Sequence, residues 1–399
     1  MNVWRTEKLG NYCSFQEGYV NPSQKNPEYF DGNIKWLRAV DLNDSYVYET
    51  TRTLSDAGFK SAGKSALLFE PNTIVISKSG TIGRLGIIKD YMCGNRATIN
   101  IKPKENADLK YIFFLLLSNR NLIESLAVGS VQKNLYVSVL DNLEFPFPTL
   151  EEQKKIGEFL SCLTDKIEVN NKINDNLLQQ SRSLYQSWFV DYEPFDGIRP
   201  SDWIEDTIDG LAREIICGKT PSTKVAEYYG NDIPFITIPD MHGNTYAITT
   251  ERYLSLYGAE SQKKKTLPRN SICVSCIGTA GLVTLTAQES QTNQQINSII
   301  PKDDYSPYYI YLLMETLSDV INNLGQSGST IVNLNKAQFS KISVVIPSIA
   351  SMRSFDEIVG PMFSSILSNQ EENLKLAEIR ETILPRLMSG ELDVSDIDI

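Results

Sequence analysis

The sequence predicts an α+β fold made twice over: two tandem α/β domains, each followed by one long helix. Two observations carry this reading. One is an internal repeat with a period of about 199 residues that runs through nearly the whole chain. The other is a pair of stretches of about forty residues in which apolar side chains recur at coiled-coil spacing.

The repeat is dense. Trp4 recurs as Trp203, and Gly32-Asn33 as Gly230-Asn231. The run IKWLRAVD, 34–41, recurs as IPFITIPD, 233–240. The segment from Ser77 to Gly83 recurs from Ser275 to Gly281, and Asn95, Pro103 and Pro148 return as Asn293, Pro301 and Pro347. Within each copy, residues 1–147 and 202–346 alternate short β-like runs, such as 73–77 and 342–346, with Gly, Pro and Asn turns. A helical segment sits inside each, over 109–126 and 307–322. Residues 193–201, containing Glu193-Pro194-Phe195-Asp196-Gly197, read as a linker, and 389–399 as an acidic tail.

The second part of each copy, 148–192 and 347–388, lacks breakers apart from Pro361 and Pro385. A helix of about forty residues is about 60 Å long. A 4-3 spacing picks out Ile156, Leu160, Leu163, Ile167, Asn170, Asn174, Leu177, Ser181, Leu184 and Trp188. The second copy gives Phe355, Val359, Met362, Ile366, Asn369, Asn373, Leu376, Arg380, Ile383 and Leu387. Asparagines at matching steps of such a seam cost stability and fix register. The reading left open is that each stripe packs on its own domain.

Composition narrows the function. Of 399 residues 41% are hydrophobic and 10% aromatic, which is globular. No apolar run reaches membrane-spanning length and the first residues resemble no signal peptide, so a cytoplasmic protein without membrane contact is expected. A net charge of −11 disfavours a uniformly basic DNA binder, although Glu391, Asp393, Asp396 and Asp398 contribute part of it locally. Six scattered cysteines suit buried thiols. Cys273 and Cys276 form one CxxC, without the second pair that a zinc site needs, so no metal is expected.

Catalytic motifs fail one by one. The single histidine, His242, removes most acid–base schemes. Asn26-Pro27-Glu28-Tyr29 imitates the Asn-Pro-Pro-aromatic motif of amino-methyltransferases, but the third residue is wrong and no glycine-rich cofactor loop accompanies it. Gly218-Lys219-Thr220 lacks the earlier glycine of a phosphate loop, and Glu152-Gln153-Lys154 opens a helix.

The polar and basic groups of the turns remain, and they suit recognition of double-stranded DNA. In the first copy these are Lys78, Ser79, Thr81 and Arg84, then Asn95, Arg96, Gln132, Lys133 and Asn134. In the second they are Lys219, Thr220, Ser222, Lys224, Ser275, Gln291, Asn293, Gln294, Gln295, Ser329 and Asn333. Such turns bring backbone amides and cations to phosphates, and amides and guanidinium groups to adenine or guanine edges. Matched positions differ: Lys78 stands against Ile277, Arg84 against Leu282 and Arg96 against Gln294. Different polar loops on a repeated frame are what two recognition surfaces would need.

At this point the chain resembles the specificity subunit of type I restriction-modification systems, over essentially its whole length. The marks are Trp4 with Leu9-Gly10, Trp203, and Gly18 with Pro22-Ser23. Further marks are Gly218-Lys219-Thr220-Pro221-Ser222, Ser79-Gly80-Thr81-Ile82-Gly83, and Pro148 with Glu152-Gln153-Lys154-Lys155-Ile156. The ending from Leu384 to Leu392, LPRLMSGEL, is the most specific. Ala350-Ser351-Met352-Arg353 departs from the usual Glu-Gln-rich helix start.

The resemblance implies that each target-recognition domain reads half of a bipartite DNA target, and that the two long helices pair antiparallel as a spacer. Two methyltransferase subunits, carrying S-adenosylmethionine, would bind the chain, and endonuclease/translocase subunits would join for restriction. The chain itself would be non-catalytic and hold no cofactor. The alternative of a different class is a coiled-coil interaction scaffold without DNA binding.

Overall fold

The computed structural model describes residues 4–129, 133–326 and 332–392. Each copy builds a large sheet of the same strand order. In the first, Cys13–Glu17, Thr98–Pro103, Thr73–Ser77, Leu85–Ile88 and Ser45–Val47 lie side by side. In the second, Ala212–Cys217, Ile296–Pro301, Ile272–Ser275, Val283–Thr286 and Tyr246–Ala247 do so. All pairs are antiparallel except the last of each sheet. The central strands are buried on both faces, which explains their continuous β-branched runs.

A smaller sheet holds Phe30–Leu37 parallel to Cys93–Gly94 in one copy, and Ile233–Ile236 parallel to Gln291–Thr292 in the other. A two-stranded ribbon joins the ends of each domain, Arg5–Lys8 with Glu144–Phe147 and Ile204–Thr207 with Ser343–Ile346.

The segments expected as single internal helices each divide in two. Leu109–Ser118 is followed by Arg120–Ser125, and Pro307–Thr316 by Ser318–Gly325. At the first break Asn119 turns its amide onto the Leu115 carbonyl at 2.8 Å, a side-chain bond that competes with continued helix.

The long helices run Leu150–Phe189 and Ile349–Met388, 40 residues each. The second continues through both Pro361 and Pro385. Each proline removes a helical N–H bond at a cost of about 3 kcal/mol, which the flanking Val359, Phe363, Leu384 and Leu387 offset by burial.

Packing divides the molecule differently from chain order. One compact unit comprises Met1–Ile167 with Lys375–Ile399, the other Glu168–Leu374. Each unit therefore owns one domain, part of the first helix and the antiparallel part of the second. In the first unit Ile156 and Leu160 share a core with Leu384, Leu387 and Met388, and Arg380 donates to the Thr164 hydroxyl at 3.4 Å. In the second, the ring centres of Trp188 and Phe355 are 5.8 Å apart and Ser181 faces Met362. The asparagines meet there: Asn369 donates to Asn174 at 2.8 Å, and Asn170 donates to Asn373 at 2.9 Å and to Glu372 at 2.8 Å. The helices pair as an antiparallel coiled coil, and every residue of the two stripes is buried or half-buried.

The open alternative is thus half right. Phe355, Val359 and Ile366 also belong to the core of the second domain, so the stripes pack on their domains as well as on each other.

Candidate nucleic-acid interface

The matched loops between the third and fourth strands of each large sheet are turned by glycines. Gly80 and Gly83 have φ of 76° and 83°, and Gly278 and Gly281 have 78° and 87°, a left-handed region that glycine enters without strain. Beside them, the turn at Asn95 and its partner at Asn293 lie under Gly18 and Gly218. A Cβ on these glycines would stand 2.2 Å from the Asn95 carbonyl and 2.1 Å from that of Asn293. The glycine-containing loops 18–25 and 218–225 therefore pass close against the turns that present residues 96 and 294.

In the first copy Thr81, Arg84, Arg96 and Lys133 are exposed, and Ser79 is half-buried in a bridge to Asn134. Asn134 also exchanges backbone bonds with Val128 at 2.9 and 3.0 Å. Lys78 departs from the expectation. Its ammonium sits 2.9 Å from Glu17 and its side chain is only 16% exposed, so its charge is already used inside the protein. Burial raises the Glu17 carboxyl, but hydrogen bonds from Lys78 and Tyr19 outweigh it and hold the group below the usual carboxylate range. Asn95 spends its side-chain carbonyl on the Ala97 amide at 3.0 Å, which shapes the turn.

In the second copy Lys219, Ser222, Lys224, Gln294 and Asn333 are exposed, and the Thr220 hydroxyl donates to the side-chain amide oxygen of Gln294 at 2.7 Å. Gln295 is half-buried and reaches the Ile277 carbonyl at 3.5 Å.

Three further expectations are corrected. Ser275 is fully buried and accepts from the Leu282 amide at 2.9 Å. Gln291 is fully buried, donating to Ala259 and to Thr266 at 3.0 Å each while accepting from Gln262 at 2.8 Å. Asn293, 8% exposed, is tied to Gln295 by two bonds of 3.0 Å. None of the three can meet a base edge without unfolding its loop. The backbone bonds also match Lys78 with Cys276 rather than Ile277. Lys78 donates to Ala97 and accepts from Leu135, as Cys276 donates to Gln295 and accepts from Leu334. Gln132 and Ser329 lie outside the described residues.

The residues expected from the sequence do not include Lys263, Lys264 and Lys265. These form a 3-10 turn beside the 218–225 loop, with Lys265 donating to the Cys217 carbonyl at 2.8 Å. Their only signal is a plain run of three lysines, less distinctive than a glycine turn.

The rejected motifs occupy structural places. Pro27–Tyr29 is a 3-10 turn matched by Ala226–Tyr228, with Val225 where Asn26 stands. His242 is exposed. Cys273 and Cys276 enter different apolar clusters, and burial pushes both thiols up to about 12. Among the described residues no helix is long and apolar enough to cross a membrane.

Comparison with known proteins agrees on one family. The type I restriction modification DNA specificity domain matches residues 1–179 and again 200–371. The HindI specificity subunit of Haemophilus influenzae is 34% identical over 366 residues, covering 73% of this chain and 79% of that protein. The MjaIX specificity subunit of Methanocaldococcus jannaschii is 26% identical and covers 99% of this chain and 94% of that protein. The fold is that of the type I restriction-modification S subunit from M. genitalium, with a TM-score of 0.57, 18% identity, and 97% and 96% of the two chains covered. With two domain matches on a duplicated frame and a relative at 34% identity, the chain belongs to the type I restriction modification DNA specificity family.

Proposed function

We propose that this chain is the sequence-reading subunit of a type I restriction-modification assembly, with one domain for each half of a bipartite target. The observation that carries the reading is a duplicated frame whose loop residues differ: exposed Arg96 against exposed Gln294 on the same turn, and exposed Arg84 against half-buried Leu282 on the same hairpin. Guanidinium suits guanine, and an amide suits adenine. The two domains therefore read different bases on one scaffold.

The chain supplies recognition and no chemistry of its own. Two methyltransferase subunits would bind the paired helices and bring S-adenosylmethionine, and endonuclease/translocase subunits would complete restriction. The net charge of −11 fits a reader whose partners share the phosphate contacts.

Two measurements test this. The purified chain alone should transfer no methyl groups to plasmid DNA, and transfer without partners would overturn the non-catalytic reading. Exchanging residues 1–147 for those of another family member should alter one half of the methylated motif in a sequenced host genome. Changes in both halves would contradict independent readers.

A further inference from the structure

The second copy carries a turn of three lysines where the first copy, at the same place in the frame, has one, Lys64. In both, a serine caps a short helix: Ser55 accepts from Gly58 ahead of Asp56–Lys60, and Ser255 accepts from Gly258 ahead of Leu256–Glu260. A 3-10 turn follows, Gly63–Ser65 in one and Lys263–Lys265 in the other. The first copy makes its 3-10 turn on Gly-Lys-Ser, entered through Gly63 at a φ of 58°, so a turn at this place does not require three lysines.

The turn is held firmly. Gln262, 8% exposed, donates its amide to the Lys219 carbonyl at 2.9 Å and to Gln291 at 2.8 Å. Lys265 is spent on the Cys217 carbonyl. Lys263 and Lys264 remain exposed, on the turn locked to the backbone of Lys219, itself exposed. Glu260 meets Lys263 at 3.1 Å with both side chains more than 60% exposed, a pair that solvent weakens and a phosphate can replace. The adjoining helix exposes Leu256 and Tyr257 where the first copy has Asp56 and Ala57, and ends on Glu260 where the first copy has Lys60. Tyr19 stands where the second copy has Lys219.

Flexible ammonium groups are point charges. They serve phosphate oxygens better than the planar, bidentate edges that distinguish bases. We propose that Lys263 and Lys264, with Lys219, form a clamp on the phosphate backbone of duplex DNA that gives the second domain affinity without base choice. The proposal rests on the DNA-reading function argued above, and it makes the grip on the two half-sites unequal.

The test uses the full chain assembled with its methyltransferase subunits, a duplex containing its methylated motif, and binding measured across a salt series. K263Q/K264Q leaves Lys265 and the Gln262 bonds intact. Its log affinity should fall with log salt less steeply than wild type by about 2, close to 0.9 for each phosphate left without its lysine. The methylated motif in the host genome should be unchanged, and K64Q in the first copy should change the slope by less than half as much. An unchanged slope or an altered motif would overturn the clamp. So would a loss of co-elution with the methyltransferase subunits, which would assign the lysines to a protein surface. Failure of the underlying reading looks different, because the wild-type assembly would then show no sequence preference on DNA at any salt.

Discussion

The hydroxyl of Ser306 donates to the carboxylate of Asp356 while its oxygen caps the helix Pro307–Thr316 through the Tyr309 amide at 2.9 Å. In the first copy the acid has changed sides. Asp108 is itself the cap, and Gly157 occupies the position of Asp356, where a Cβ would stand 2.6 Å from the Asp108 carboxylate. One carboxylate serves each helix junction, and there is room for one.

Burial pushes the Asp356 carboxyl up to about 6, against the smaller opposing pull of the Ser306 hydrogen bond. A raised folded-state value means that the stability from this group is fully present below the ordinary carboxylate range and is lost as pH rises through about 6. Asp356→Asn keeps an acceptor for Ser306 and removes the titration. The variant should be more stable at pH 7.5 by about 1–2 kcal/mol, after discounting for partial exposure, with a flatter profile between pH 4 and 6. Denaturant midpoints across that range measure it, and a variant with the wild-type pH slope would show that the group is not responsible.

Glu17 has the opposite sign. Lys78 and Tyr19 hold its carboxyl low, so its contribution is present above the usual carboxylate range and fades as pH falls. Glu17→Gln should cost about 1 kcal/mol at neutral pH and almost nothing at pH 3. It also releases the Lys78 ammonium, so DNA binding by the assembly should become steeper in salt by about 1. Thermal melts at the two pH values and a salt titration are the checks.

Arg96 and Gln291 look alike as candidate readers in the sequence and should behave unlike in the protein. Arg96→Ala should relax one position of the first half-site by about 1–3 kcal/mol, leaving the melting temperature within about a degree. Gln291→Ala removes one of the two acceptors of the buried Gln262 amide and opens a gap in the small sheet, so it should lower stability by about 1–3 kcal/mol and leave the methylated motif as it was. Motif sequencing and calorimetry on both variants separate the effects.

Asn170 is fully buried, and its carbonyl oxygen has no hydrogen-bond partner. Asn170→Leu with Asn373→Leu replaces a polar step of the seam by apolar packing. The melting temperature of the unit Glu168–Leu374 should rise by several degrees, since 1 kcal/mol is worth about 2–4 °C for a unit of roughly 200 residues. A fall would mean that the amides contribute net stability in place.

The frame was legible because duplication writes it twice. Trp4 and Trp203, the two glycine turns and the paired asparagines identify each other without any alignment of relatives. The interface was legible only in part. Gln291 and Gln294 lie in one polar run, and nothing local says that Gln262, 29 residues earlier, will bury the first and leave the second in water. Lys78 failed for the same reason, since its partner Glu17 arrives from a strand far away in sequence. Polar residues announce hydrogen bonding; the fold decides with whom.

The end of the second helix closes the core of the first domain: Leu384, Leu387 and Met388 fill it beside Ile156 and Leu160, and a Cβ on Gly390 would stand 3.4 Å from the Trp4 ring. On the ribosome those residues emerge roughly two hundred positions after the core they complete, so the early domain must wait with an apolar face uncovered. A frameshift late in the gene would take away that cover and leave the first domain with its apolar face open to water, a state prone to stick to its neighbours.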